Sequence, residues 1–186
     1  MPRCGRWAGG RHLHQGLRGR YEIAVRREAG AALAPRNGPG HSDRVPHDVA
    51  HLIVEVEDGL RGGVYGRLAA ADGDDGMFWP LDPTERRASL KRRRAPTAQE
   101  SADMGRSETL ASASVALWEV ARGWRAPDPA WPGRVAGGGI DAGLLERLFA
   151  RYDDFAARWA ALSPGGSITM DWPFPEGSGK RRRTGR

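Results

Sequence analysis

The chain has 186 residues, 28% charged and 39% hydrophobic, with 26 glycines and 13 prolines, which leaves room for one ordinary domain with a polar surface and long loops or ends. Its net charge of +6 sits at the two ends: residues 1–20 carry five arginines and no acid, residues 178–186 carry five more basic side chains (Lys180, Arg181, Arg182, Arg183 and Arg186), and the body between them is therefore at −4. A basic body that tracks a phosphate backbone is excluded, and the single cysteine, Cys4, excludes internal disulfides and cysteine-rich zinc sites.

No apolar run approaches the roughly 18 residues of a membrane span. The start of the chain lacks the ~7–15-residue apolar segment of a secretory signal. A cytoplasmic protein without a membrane partner is the expectation.

Residues 1–20 are rich in Gly and Arg and show no period, so a disordered basic arm is predicted there. In residues 21–27, Tyr21, Ile23 and Val25 alternate with Glu22 and Arg26, the pattern of a half-buried strand. Residues 28–30 can turn the chain, and Ala31, Ala32 and Leu33 offer a return strand. Pro35, Gly38, Pro39 and Gly40 mark a loop.

That loop leads into the stretch with the clearest helix signals. Pro46 suits a first helical position and Gly59 a stop. At about 100° per residue, Val49, Leu52, Ile53 and Val56 form an apolar stripe. His47, His51, Glu55 and Asp58 fall on the other side, with Asp48 at its edge.

A short second helix is predicted over residues 60–71. Its Gly62, Gly63 and Gly66 match neither a dinucleotide fingerprint nor a Walker loop and read as points of close helix approach. Residues 72–76 (Asp72, Gly73, Asp74, Asp75, Gly76) lack EF-hand spacing and read as a solvated turn. A polar linker is predicted at about residues 84–106, where Arg86, Arg87, Lys91, Arg92, Arg93 and Arg94 form a solvated charge run and Pro96 interrupts any helix.

Leu110, Ala113, Leu117, Val120 and Trp124 recur at helical spacing. After a Pro/Gly-rich loop, Asp141 can cap the strongest helix, with Ile140 placed to staple against Leu145. Its stripe of Leu144, Leu148, Tyr152, Phe155 and Trp159 is core. Residues 167–172 alternate as a strand, and residues 176–186 form a disordered basic tail.

The chemistry concentrates on the central helix. His47 and His51 stand four residues apart, which sets two imidazoles on one helical face where they can converge on a divalent ion such as zinc. The third ligand is Glu55, Asp58 or His41. The element resembles the zincin H-E-x-x-H, with Asp48 or Glu55 as base, although Asp48 is one methylene shorter than glutamate. Against this stands a structural role, with the histidines capping, pairing with Asp48 or Glu55, or packing. There is no Gly-x-Ser-x-Gly, and Cys4, His12 and His14 lie in the arm.

The runs Pro46-His47-Asp48-Val49-Ala50-His51-Leu52-Ile53-Val54-Glu55 and Gly59-Leu60-Arg61-Gly62-Gly63-Val64-Tyr65-Gly66-Arg67-Leu68-Ala69 resemble a group of small uncharacterised bacterial proteins that share PHDxxHxxVE followed by GLxxGxxGxxA. The likeness is close over residues 45–71 and loose over residues 21–175. It implies the domain limits and singles out the central helix. It implies no activity and no cofactor.

The expectation is a single α+β domain over residues 21–175, in which a small antiparallel sheet (N-terminal hairpin plus a C-terminal strand) packs against three or four helices. Its function is to bind a small-molecule or protein partner through the His47/His51 face without catalysis. The alternative is a metal-dependent hydrolase with His47 and His51 as ligands. Weak, non-specific nucleic-acid binding could arise only from the basic tail.

Overall fold

The computed structural model describes residues 10–15, 21–27, 30–39, 43–70, 76–129 and 139–174. Its elements run β1 (Gly10–Gln15), β2 (Tyr21–Val25), β3 (Arg36–Asn37), α1 (His47–Glu57), α2 (Val64–Ala69), α3 (Pro83–Arg92), α4 (Ala98–Ala121), α5 (Ala142–Ala160) and β4 (Ser167–Asp171). The fold is α+β: a small antiparallel sheet in the order β3-β2-β1-β4 accompanies five helices among the described residues.

The hairpin differs from the predicted one. β2 carries the expected alternation, with Tyr21, Ile23 and Val25 buried. Its main partner, however, is β1, not residues 31–33. Leu33 makes only an isolated bridge to Pro80, and the short partner on the other side of β2 is Arg36–Asn37. The expected disordered arm is corrected at Gly10–Gln15, which forms an inner strand between β2 and β4. Pairing on both sides satisfies that backbone, a source of order that a run of Gly, Arg, His and Gln does not announce. The rest of the arm, at residues 1–9 and 16–20, and the tail at residues 176–186 lie outside the described residues.

The predicted linker is also corrected, since most of residues 84–106 is helical. Asp82 caps α3 by accepting from the Thr84 and Glu85 amides at 2.9 Å. Pro96 does not interrupt α4; it precedes its N-cap. The Thr97 hydroxyl accepts from the Glu100 amide at 3.2 Å while Glu100 Oε2 accepts from the Thr97 amide at 2.7 Å, a complete capping box. Capping chemistry starts these helices where apolar periodicity is absent.

α1 occupies the centre and packs against α2, α4 and α5. Pro46 is its N-cap residue, and Gly59, at φ +71°, follows its end. All positions from Asp48 to Glu55 are buried, so the polar side is covered at His51 and Glu55 and stays exposed at His47. α5 opens as predicted, with Asp141 Oδ1 accepting from the Leu144 amide at 2.7 Å, and buries Leu144, Leu148, Tyr152, Phe155 and Trp159.

The inner face of α4 is turned from its predicted phase. Leu110, Ala111, Ser114 and Trp118 are buried, while Leu117 is half-buried and Trp124 exposed. Trp118 meets Tyr152 with ring centroids 5.5 Å apart, and its indole N–H donates to Asp153 at 2.8 Å. The Tyr152 hydroxyl lies 2.8 Å from that of Ser114. Polar partners on the inner face explain why an apolar stripe placed it wrongly. No described helix is long and apolar enough to cross a membrane.

If Thr97 starts α4, Thr97→Ala should lower stability in urea by about 1 kcal/mol, with some loss of helical circular dichroism. An unchanged midpoint would mean that the Thr97–Glu100 capping box adds nothing to stability.

Candidate metal site

The first turn of α1 carries His47 and its second carries His51. Their rings lie 4.5 Å apart between centroids, with the two Nε2 atoms 3.3 Å apart. α4 brings Glu108 to the same point, its Oε2 lying 3.5 Å from His51 Nε2. One donor atom from each residue falls within 4.8 Å of the others. His51 is buried, whereas His47 and Glu108 are exposed, so the cluster opens to the surface on one side.

The spacing can be compared with a real coordination sphere. Zinc–nitrogen bonds of about 2.0–2.1 Å at a tetrahedral angle place two nitrogens about 3.3 Å apart, and a carboxylate oxygen about 3.4 Å from each. The 3.3 Å between the two nitrogens and the 3.5 Å from Glu108 to His51 are of this size, and the three donor atoms together lie within 4.8 Å of one another, a set that an ion would have to draw closer.

His51 is oriented from behind. Its Nδ1 lies 2.8 Å from the Ser107 hydroxyl, which donates to Glu55 Oε1 at 3.2 Å. Since that hydroxyl proton goes to Glu55, Ser107 accepts from Nδ1–H, and the lone pair of Nε2 points into the cluster. This is the arrangement by which second-sphere partners fix a ligating imidazole. Burial, the largest influence, holds the His51 pKa below its usual value; His47 lowers it too, while Glu108 and Asp48 pull it up. A neutral imidazole is the form that binds metal.

The other acids of α1 are committed elsewhere. Glu55 was a candidate ligand and base, but its Oε1 accepts from the Val64 amide at 2.9 Å and its Oε2 from the Tyr65 amide at 2.8 Å and the Gly66 amide at 3.3 Å. It is an anchor for the N-terminus of α2, and the carboxylate beside the histidines is Glu108. Asp48, the other candidate base, accepts from the Tyr21 hydroxyl at 2.8 Å and from the Arg36 guanidinium. Asp58 is ion-paired with Arg106. His41 lies outside the described residues.

Glu108 and Ser107 were missed. Nothing local marks them, since His51 and Ser107 are 56 residues apart and meet only when α4 docks on α1. The glycines after α1 are explained as close approach: a Cβ on Gly63 would fall on the Glu55 carboxylate.

Compared with known proteins, the chain matches no family model, no curated protein and no solved structure.

Burial pushes the Glu55 carboxyl up to about 7, against the four donors that favour its ionised form. Because the folded value lies above the ordinary 4.5, the stability this group contributes is complete below about 4.5 and is lost as pH rises through about 7. Glu55→Gln sets an amide N–H against a backbone N–H and should cost about 1–3 kcal/mol in urea. That gap should narrow between about pH 5 and about pH 8. A gap that widens with pH would show that the four donors, not burial, set the carboxyl's proton affinity.

Proposed function

We propose that this is a small cytoplasmic protein that binds one divalent ion, zinc or a similar metal, on His47, His51 and Glu108, and uses the open side of that ion to hold a ligand. The observation that carries this reading is the convergence of two imidazole nitrogens and a carboxylate oxygen from α1 and α4 within 4.8 Å of one another. Three protein ligands leave a zinc ion one position for water or a partner group. The exposed sides of His47 and Glu108 put that position at the surface.

Ligand binding is favoured over hydrolysis by the fate of the acids. Many hydrolytic metal sites add a carboxylate base beside the metal-bound water, as the resemblance to H-E-x-x-H would supply here. The two acids expected for that role, Asp48 and Glu55, are held by Tyr21 and Arg36 and by the start of α2. The competing structural reading is a polar contact of His47, His51 and Glu108 that holds α4 on α1 without metal.

The test is metal content and affinity on the full chain, purified without a histidine tag. One equivalent of zinc is expected to bind, with affinity at least about tenfold weaker in His47→Ala and in Glu108→Ala. Both residues are exposed, so these variants should fold like the parent. Affinity unchanged by either substitution, or no saturable binding, would leave the cluster as a polar contact between helices and end the metal reading.

A further inference from the structure

A line of hydrogen bonds leads inward from the histidine cluster to another part of the fold. His51 Nδ1–H donates to the Ser107 hydroxyl at 2.8 Å, and that hydroxyl donates to Glu55 Oε1 at 3.2 Å. Glu55 accepts in turn from the Val64, Tyr65 and Gly66 amides, at 2.9, 2.8 and 3.3 Å, which open α2. His51, Ser107 and Glu55 are all buried. Bonds of this kind, out of water, depend on the position of every member. The carboxylate is also confined, since a Cβ on Gly63 would fall on its carbon. In this one position the hydroxyl and the three amides all reach it.

We propose that an ion on His47, His51 and Glu108 is coupled through Ser107 and Glu55 to α2, so that filling the site tightens the start of that helix. The inference rests on the metal reading above and adds the element to which occupancy is transmitted. An ion on Nε2 uses that nitrogen's lone pair, so the ring proton must stay on Nδ1. Ser107 then accepts from Nδ1–H, and its own proton has Glu55 as its acceptor. Without an ion the ring can carry its proton on Nε2, facing the Glu108 carboxylate 3.5 Å away. Nδ1 then becomes an acceptor, the Ser107 hydroxyl turns to it, and Glu55 loses a donor. The ion removes that alternative and so holds the carboxylate where the amides of α2 meet it. Coupling between two sites is reciprocal, and displacing Glu55 from the α2 side must weaken the ion's hold on His51.

The experiment is residue-resolved amide hydrogen exchange by NMR on the full chain, with and without zinc, beside calorimetric zinc titration of the same samples. Both are run at about pH 8, above the value of about 7 to which burial raises Glu55, so that its carboxylate is compared in one charge state. Zinc is expected to slow the Val64, Tyr65 and Gly66 amides at least about fivefold more than it slows the amides of α5. Ser107→Ala should bind zinc about tenfold or more weaker. At saturating zinc, its α2 amides should slow no more than those of α5. Gly63→Ala, which presses on Glu55 and not on the cluster, should weaken zinc binding about fivefold or more. That loss should vanish in the Ser107→Ala background.

Saturable zinc binding with α2 amides slowed no more than those of α5 overturns the coupling and leaves the metal reading standing. Absence of saturable binding removes both. Selective slowing that persists in Ser107→Ala shows that the hydroxyl does not carry the coupling and overturns it. Parent-like zinc affinity in Gly63→Ala does the same. Should Gly63→Ala fail to fold, the exchange of the parent against Ser107→Ala decides alone.

Discussion

The arrangement turns on a single carboxylate. Glu55 leaves the last turns of α1 fully buried, and its two oxygens collect three amides at the start of α2 and the hydroxyl of Ser107 on α4. Three chain segments are thereby held by one side chain. An isolated buried carboxylate would be prohibitively costly; four donors offset part of that cost, and burial still raises the pKa of Glu55 to about 7. The amides it meets are the orphan donors of a helix start, which would otherwise need a cap; α2 has no side-chain cap at its own N-terminal residue. The glycine before α2 follows from the same contact, because the carboxylate fills the space where a Cβ would project from Gly63.

The same contact positions the cluster. Ser107 gives its proton to Glu55 and so must accept one from His51, and that exchange decides which imidazole nitrogen faces outward. α4 is thus attached to α1 by a hydroxyl at the buried end of the cluster, and Glu108, the next residue, is delivered to its open end. Around this centre the other acids of α1 tie it to neighbouring elements. Asp48 holds β2 through Tyr21 and the β3 strand through Arg36, and Glu57 pairs with Arg147 and Arg151 of α5. Burial first, and the charge of Asp48 next, raise the Tyr21 pKa, so the phenol keeps the proton it donates. The acids of the central helix serve as fasteners: Asp48 to β2 and β3, Glu55 to α2 and α4, and Glu57 to α5.

Periodicity was a good guide wherever one face of an element meets the core and the other meets water. β2 and α5 are of that kind, and Tyr21, Ile23, Phe155 and Trp159 are buried as their spacing predicts. It failed where polar groups are buried. The helical wheel of α1 puts His51 and Glu55 opposite the apolar stripe, and in water-facing helices that side is solvated. Here donors from α2 and α4 cover it, and they are supplied by residues that no local window contains. α3 and the first turns of α4 are exposed on most of their surface, so they carry no stripe to detect. Their caps, Asp82 and Thr97 with Glu100, were legible, and weight given to capping over hydrophobicity would have found both helices. β1 was illegible for a different reason: its order comes from pairing with two neighbours, one of which is the last strand of the chain.

The gradient of exposure across the cluster has a consequence for any cation that occupies it. His51 is locked by Ser107 and by burial, so it loses little freedom on ligation, whereas His47 and Glu108 must be immobilised from solvent. Glu108 keeps 60% of its side-chain surface accessible. A site with one rigid ligand and two adjustable ones is only partly preorganised, and the ordering cost of the outer pair is subtracted from affinity. An ion held as proposed would leave through the outer ligands while the buried histidine stays in place. A ligand that bridges the ion and the exposed faces of His47 and Glu108 offsets that ordering cost, so ion and ligand would bind better together than singly. Cooperation of that sort suits a recognition site more than a permanently filled structural one, where all ligands are closed in and no position is left at the surface.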